Sequence, residues 1–128
     1  MKKDNENKNK VVANIVVPVF EKDNQSSITI NADALTSDYI VKVTNYKSID
    51  NVNKEEFTYD VSIQNNTSAN VIVKKGKNGK NLMKDSKSTI ISGEKLKKSV
   101  KENVYYYISV DDINKVKSKE KILFKIVS

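Results

Sequence analysis

Cysteine, histidine, tryptophan and arginine are absent from this chain of 128 residues, and each absence excludes a class of chemistry. Without cysteine there can be no disulfide, zinc-thiolate site or iron–sulfur cluster, and without histidine no imidazole can ligate haem. Neither a Ser–His–Asp nor a Cys–His nucleophile system can be built. All 23 basic residues are lysine, so no arginine can serve as a bidentate phosphate clamp. We therefore expect a protein that is not an enzyme and that binds no metal or cofactor.

Glycine, proline and long apolar runs are scarce as well. The chain has three glycines and a single proline, Pro18. No segment approaches the roughly 20 apolar residues that a membrane-spanning helix needs, so no membrane span is expected in this chain. The apolar stretch Val11–Phe20 is interrupted by Asn14 and Pro18, and it lacks the form of a signal-peptide core. Either the protein is intracellular or a signal peptide has been removed.

The formal net charge of +7 raises the question of a nucleic-acid partner. The lysines are spread along the chain, and their densest groups contain no interleaved aromatic residue that could stack on bases. Arginine, the usual reader of base edges, is missing. A nucleic-acid partner is thus disfavoured, and the interpretation we prefer is a solvated basic surface. The open alternative is attraction to an acidic surface such as a cell-wall polymer or anionic lipid. The two densest groups are Lys74, Lys75, Lys77, Lys80 and Lys95, Lys97, Lys98, Lys101.

Asparagine is over-represented, with 16 residues. Together with the abundant lysine and isoleucine, it is what AT-rich codons encode. The bias indicates an origin in a low-GC Gram-positive bacterium or its phage, and it carries no information on mechanism.

The pattern of apolar residues predicts β-strands from Val11 onward, behind a polar, flexible N-terminal arm at residues 1–10. The clearest alternation is in Glu56–Gln64, where every second residue is apolar, which is typical of a strand with one face in a core and one in water. The predicted strands are Val11–Phe20, Ser27–Asn31, Asp38–Tyr46, Glu56–Gln64, Asn70–Lys75, Ser88–Ser92, Asn103–Val110 and Lys121–Val127. Asn78-Gly79 predicts a tight hairpin after Lys77.

Helix is predicted only weakly, as one or two turns in Glu94–Lys101 and a short helix or loop in Asp111–Lys119, because neither segment has an apolar stripe. About eight short strands separated by turn residues are typical of a β-sandwich or barrel. We predict an all-β, antiparallel sandwich of jelly-roll or Ig-like type, formed as a single domain by residues 11–128.

Two aromatic residues form a candidate contact patch. In the strand Asn103–Val110, alternation places Tyr106 on one face and Tyr105 and Tyr107 on the other. If that second face meets solvent, the two rings could stack on a sugar or pack against another subunit. The alternative is that both faces of a central strand are covered.

The first strand is a candidate for assembly. Pro18 cannot donate to a strand ladder, so Val11–Phe20 should lie at a sheet edge or bend there. A long apolar edge strand behind a flexible arm could complete the sheet of a neighbouring copy, whereas the alternative is a first strand within its own chain. The candidate assembly residues are Val11, Val12, Ile15, Val17 and Phe20.

A resemblance extends over residues 11–63. The run Ser37-Asp-Tyr-Ile-Val-Lys-Val-Thr-Asn-Tyr46, a polar gap through Asn53, and then Phe57-Thr-Tyr-Asp-Val-Ser-Ile63 resembles a pattern in exported β-sandwich proteins of Gram-positive bacteria. These are the camelysin and biofilm-matrix fibre proteins, in which a strand ending in V-x-N-Y or V-x-N-x-G precedes an alternating strand. The segment from Val12 to Val17 is similar to the one that follows their leader. The chain departs from the pattern in lacking the leader peptide and in carrying Tyr46 where a glycine often follows.

The resemblance implies a sandwich fold, export, and assembly into fibres through an N-terminal strand. We therefore expect a non-enzymatic structural subunit located outside the cell or on its surface, its signal peptide removed. It would form homo-oligomers by strand addition through Val11–Phe20. Two alternatives stay open: a structural or decoration protein of a phage virion, and a carbohydrate-binding surface module that uses Tyr105 and Tyr107 and contacts the cell wall or a glycan.

Overall fold

The computed structural model describes residues 11–48 and 50–128, so the predicted arm at residues 1–10 lies outside the described residues. The described residues form ten strands and two short 3-10 helices. The strands are β1 (Ile15–Pro18), β2 (Gln25–Asn31), β3 (Tyr39–Thr44), β4 (Tyr46–Ser48), β5 (Asn51–Val52), β6 (Phe57–Asn66), β7 (Val71–Lys75), β8 (Ser88–Leu96), β9 (Asn103–Val110) and β10 (Lys121–Val127). The 3-10 helices are Ala32–Ala34 and Ile113–Lys115.

Eight of these strands form two four-stranded sheets. Sheet A has the order β1-β3-β9-β7 and sheet B the order β2-β10-β6-β8, while β4 and β5 form a small separate hairpin. Sheet B is antiparallel throughout. Sheet A is mixed, because β1 runs parallel to β3 with Ile15 opposite Val41 and Val17 opposite Val43. The predicted all-β sandwich is thus confirmed, with one parallel pair at an edge of sheet A.

The chain alternates between the sheets. Following β1, β2, β3, β6, β7, β8, β9 and β10 in sequence, each connection passes from one sheet to the other. Consecutive strands of the two main sheets therefore lie in different sheets and do not pair with each other.

The core lies between the two sheets and follows from the alternation in the sequence. In β6, Tyr59, Val61 and Ile63 are buried, while Thr58, Asp60 and Gln64 are exposed. The same pattern recurs in the other central strands, so each sheet contributes one apolar face. The buried core residues are Val17, Val19, Ile28, Ile30, Ala32, Leu35, Val41, Val43, Tyr59, Val61, Ile63, Val71, Val73, Leu96, Val104, Tyr106, Ile108, Ile122, Phe124 and Ile126.

The helical turns predicted in Glu94–Lys101 are wrong. Strand β8 continues to Leu96 through a bulge, where Asp60 of β6 faces two residues of β8. Gly93 adopts a φ of 70° at this bulge, and its N–H donates to the Asp60 side chain at 2.8 Å. The glycine thus marks an irregularity within a strand and not its end. In Asp111–Lys119, the structure forms a single 3-10 turn at Ile113–Lys115.

A tight turn follows β7 as predicted, but it is centred on Lys77 and Asn78, with the N–H of Gly79 donating to the Gly76 carbonyl at 3.1 Å, and its positive φ of 81° lies at Gly76. The chain reverses after β7, so that Asn81 bridges Lys74 in antiparallel fashion and the N–H of Leu82 donates to Val73 at 2.7 Å. A Cβ on Gly79 would lie 2.4 Å from the carbonyl oxygen of Lys75, so close backbone approach explains the glycine at this position.

Candidate functional site at the sheet edges

The candidate site predicted from the sequence is an edge strand, and the sandwich has four of them. Strands β1 and β7 border sheet A, and β2 and β8 border sheet B. An edge strand presents backbone N–H and C=O groups that its own sheet does not use, and these groups can pair with another strand.

Strand β1 is held against β3 at both of its ends. The N–H of Asn14 donates to the Ile40 carbonyl at 2.8 Å, and the Asn14 side chain accepts the N–H of Ile40 at 2.8 Å. Pro18 has no N–H, and the N–H of Val19 donates to the Thr44 carbonyl at 2.8 Å. The prediction that the strand with Pro18 lies at a sheet edge is confirmed, but the strand covers only the four residues Ile15–Pro18 of the predicted Val11–Phe20.

The structure separates the five candidate assembly residues. Val17 is buried in the core and Ile15 packs against the core from a half-buried position. Phe20 is half-buried beyond the end of β1, with the ammonium of Lys47 4.9 Å from its ring centroid. Val11 and Val12 precede the strand and are exposed, Val12 by 80%. Of the five residues predicted to lie in the first strand, only Ile15 and Val17 belong to β1.

Two buried asparagines fix the exit of β1, and the sequence did not single them out. The Asn53 side chain donates to the Val19 carbonyl at 2.7 Å, and the Asn53 N–H donates to the Asn45 carbonyl at 2.8 Å. The Asn45 side chain in turn donates to the carbonyls of Lys97 and Val100 and accepts the N–H of Glu102. These amides replace the water that the turning backbone would otherwise require. Nothing in the sequence distinguishes them from the other asparagines.

The tyrosine patch is not formed as two exposed rings. Tyr107 stands on the outer face of sheet A between Ile40 of β3 and Lys74 of β7, and only 8% of it is exposed. Tyr105 is half-buried, with the ammonium of Lys42 5.9 Å from its ring centroid. The cross-strand neighbours on a central strand thus cover most of the surface that a stacked sugar would need.

A buried pair of tyrosines joins the two sheets. The hydroxyl oxygens of Tyr59 and Tyr106 lie 2.7 Å apart in the core, and the Tyr106 ring packs at a tilt against Phe124. Burial raises the pKa of Tyr59 to about 12, and burial also raises the pKa of Tyr106 strongly. Both hydroxyls therefore stay protonated at physiological pH, and each is the hydrogen-bond partner of the other.

Two carboxylates organise turns at the other end of the sandwich. Asp111 accepts the backbone N–H and the side-chain amide of Asn70, both at 3.0 Å, and these bonds lower its pKa. The backbone N–H groups of Lys117 and Ser68 lower the pKa of Glu120 in the same way. These contacts are structural, and within residues 11–48 and 50–128 no three acidic side chains converge on a point that could hold a cation.

One lysine of the first dense group forms an ion pair with Glu94, the residue that precedes the second group. The Lys75 ammonium lies 2.9 Å from the Glu94 carboxylate, which links the end of β7 to β8. Part of this positive charge is therefore neutralised locally. In the part of the chain that the structure describes, no helix is long and apolar enough to cross a membrane.

Comparison with known protein families, with curated proteins and with solved structures finds no match for this chain. The resemblance to camelysin and biofilm-matrix fibre proteins thus stays a prediction.

Proposed function

We propose that this protein is a non-enzymatic structural subunit of an extracellular or cell-surface assembly, in which β1 of one copy occupies the place beside β3 of the next. The observation that supports this proposal is the position of β1. It is a four-residue edge strand, it pairs with one neighbour only, and it is the first strand of the described chain. A strand of this kind is the element most easily exchanged between identical copies.

Exchange would conserve the contacts that β1 makes. The hydrogen bonds between Asn14 and Ile40 would form again with the neighbouring copy, and Val17 would again be buried, because the acceptor sheet is identical. Val19 would move with β1, because it bonds Thr44 and Asn53, so only residues 20–24 of the connection to β2 would change their path. Five extended residues span about 17 Å, which is the reach available to carry β1 out of its own sandwich. Because each copy donates one strand and accepts another, the contact is head-to-tail and can propagate into a fibre.

The absence of cysteine makes a clean test available. Val16 and Lys42 are register partners on β1 and β3, and both point away from the core, so Val16→Cys with Lys42→Cys can form a disulfide across the pair. Oxidation of the isolated monomer should close the bond within one chain and prevent assembly. Oxidation after assembly should instead link successive chains, giving a ladder of covalent multimers in denaturing gels that reducing agent collapses to a single band.

The two single-cysteine variants are the controls, since each can form at most a covalent dimer. The proposal is contradicted if the full chain forms no assembly under concentrated conditions. It is equally contradicted if assemblies of the double variant, once oxidised, contain only internally linked chains.

A further inference from the structure

Three of the four edges of the main sheets carry a feature that discourages pairing with another strand. Strand β1 is short and ends at Pro18. Strand β7 is covered by the returning segment at Asn81 and Leu82, which hydrogen-bonds to Val73. Strand β8 is bent by the bulge at Gly93 and carries Glu94 and Lys95. Short length, proline, bulges and charges are the devices by which sheets avoid edge-to-edge association.

Strand β2 has none of these devices. Its sequence, Gln-Ser-Ser-Ile-Thr-Ile-Asn over Gln25–Asn31, contains no charged residue and no proline. Its pairing with β10 runs through all seven residues without a register shift, so the strand is regular along its whole length. Among the described residues it pairs with β10 alone, which leaves its other side open.

The hydrogen bonds at the two ends of β2 show which backbone groups face this open side. Ala32 donates to the Glu120 carbonyl and Asn24 accepts from the N–H of Ser128, so the even-numbered residues point their backbone groups toward β10. In an antiparallel ladder the groups alternate, and the odd-numbered residues therefore point outward. The N–H of Gln25 is bound by the Asn24 side chain, whereas Ser27, Thr29 and Asn31 present theirs to the open edge.

The sequence of β2 is self-complementary in an antiparallel arrangement. With a twofold axis at Ile28, all seven residues of one strand face the seven of a second copy. Ser27 then faces Thr29 and Gln25 faces Asn31 as hydrogen-bonded pairs, and Ile28 faces itself. Ser–Thr and amide pairs are favourable across strands, and no charge faces a like charge within the seven paired residues.

The nearest flanking charges lie outside the paired stretch. The backbone turns at Asp23, where φ is 58°, and again at the 3-10 helix Ala32–Ala34, which contains Asp33. The uncharged stretch, residues 24–32, therefore includes the whole strand and one further residue at each end.

We propose that the open edge of β2 is a self-association surface at which a second copy of this chain adds its own β2 in antiparallel orientation. The two four-stranded sheets B then join into one continuous sheet of eight strands. The contact is twofold-symmetric and closes on itself, so alone it yields a dimer. It uses a different strand and a different sheet from the β1 exchange, and neither contact depends on the other.

Charge at the facing positions provides the test. Ser27 and Thr29 are exposed and point away from the core, so Ser27→Lys with Thr29→Lys places lysine opposite lysine in the dimer and leaves the core untouched. The matched control is Thr58→Lys with Gln64→Lys, which adds the same charge to exposed outer-face positions of the central strand β6. Sedimentation of the full-length chain, locked by the oxidised disulfide between positions 16 and 42, measures the dimer without β1 exchange at physiological ionic strength. Circular dichroism verifies that each variant is folded.

We expect the parent to dimerise and the β2 double lysine variant to dissociate with a dissociation constant raised about tenfold or more, while the β6 control dimerises as the parent does. A second double variant, Ser27→Glu with Thr29→Glu, should also be monomeric alone. Mixed in equal amounts with the lysine variant, it should form a heterodimer. In the parent dimer, the amide protons of Ser27 and Thr29 should exchange more slowly than in the monomer.

Two outcomes would overturn the proposal. One is a full-length chain, folded by circular dichroism, that stays monomeric at millimolar concentration. The other is a dimer of the locked full-length chain whose dissociation constant is the same in the β2 and β6 lysine variants. A failure of β1 exchange in the disulfide experiment leaves these results unaffected, so the two contacts are tested separately.

Discussion

The hydroxyl of Tyr59 in β6 and the hydroxyl of Tyr106 in β9 form a hydrogen bond of 2.7 Å across the interior of the sandwich. Both rings are almost fully buried, at 2% and 0% exposure, and the two strands belong to different sheets. An isolated hydroxyl in this position would lose its hydration without compensation. The pair therefore links the sheets at one defined point and requires both partners.

We predict that replacing both tyrosines is less harmful than the sum of the two single replacements. Tyr59→Phe or Tyr106→Phe leaves one buried hydroxyl without its partner and should lower the free energy of unfolding by about 1–3 kcal/mol. The double variant removes both polar groups and should lose less than the sum of the single variants. Urea denaturation of the parent, the two single variants and the double variant gives the coupling free energy between the two hydroxyls. Tyr105→Phe is the control, since its ring is half-buried outside the core. Strict additivity would show that the two hydroxyls do not interact.

The same pair predicts a loss of stability in alkaline solution. Burial raises the pKa of Tyr59 to about 12 and that of Tyr106 further, whereas both groups ionise near pH 10 in the unfolded chain. Above pH 10 the unfolded state holds fewer protons than the folded state, so the free energy of unfolding falls as pH rises. Below pH 10 this contribution is fully present.

Lysine deprotonation occurs in the same pH range, and the double phenylalanine variant corrects for it because it keeps every lysine. Denaturation between pH 8 and 11.5 should show a steeper decline for the parent than for Tyr59→Phe with Tyr106→Phe. In parallel, absorbance at 295 nm should show two of the six tyrosines ionising only with unfolding. Equal slopes for the two proteins would contradict the prediction.

The sequence predicted strands well where one face of the strand is apolar. In β6, alternation alone identified the buried Tyr59, Val61 and Ile63, and in β9 the apolar residues on both faces indicated the central position that the structure shows. Alternation is a local property that reports which face is buried. It carries no information on which sheet a strand joins, so the alternation of the chain between sheets and the parallel pairing of β1 could not be predicted.

Short or irregular elements were missed for physical reasons. The hairpin of β4 and β5 has too few residues to show a period, and the bulge at Gly93 interrupts the alternation of β8, so that β8 was predicted to end there. The prediction of candidate site residues is limited in the same way, because an apolar pattern does not show where a strand begins. Val12 matches the apolar pattern of the first strand, yet it lies before the strand and is exposed.

Buried asparagines illustrate a second limit. Asn45, Asn53 and Asn65 are at most 3% exposed, and each binds backbone groups of segments distant in the chain or within its own turn. In a chain with 16 asparagines, composition hides the few that the fold requires. Only the path of the neighbouring backbone reveals them.

We predict that Asn45→Ala destabilises the fold far more than a surface change. The substitution removes the donor to the carbonyls of Lys97 and Val100 and the acceptor for the N–H of Glu102. Unsatisfied backbone groups should lower the free energy of unfolding by about 2–4 kcal/mol. Asn114→Ala, at an exposed position whose side chain forms no hydrogen bond with the described residues, should change it by less than about 0.5 kcal/mol.

Thermal and urea unfolding measure both variants. Hydrogen exchange would localise the effect, since the amide of Glu102 should lose protection first in Asn45→Ala. Similar stabilities for the two alanine variants would show that water replaces the asparagine side chain at no cost.

Gly79 and Gly93 are required for two different reasons, a close backbone contact at Gly79 and a positive φ at Gly93. A Cβ on Gly79 would lie 2.4 Å from a backbone oxygen, whereas a Cβ on Gly93 would meet nothing within 4 Å and only the φ of 70° is unfavourable for it. We expect Gly93→Ala to lower the free energy of unfolding by about 1–2 kcal/mol and Gly79→Ala to lower it further, because backbone must move to relieve the clash. Gly93→Asn should recover part of the loss, since asparagine tolerates left-handed backbone, while Gly79→Asn should not. Urea denaturation of the four variants measures these differences in the free energy of unfolding. A Gly79→Ala protein as stable as Gly93→Ala would mean that the backbone of the turn after β7 moves at no cost in free energy.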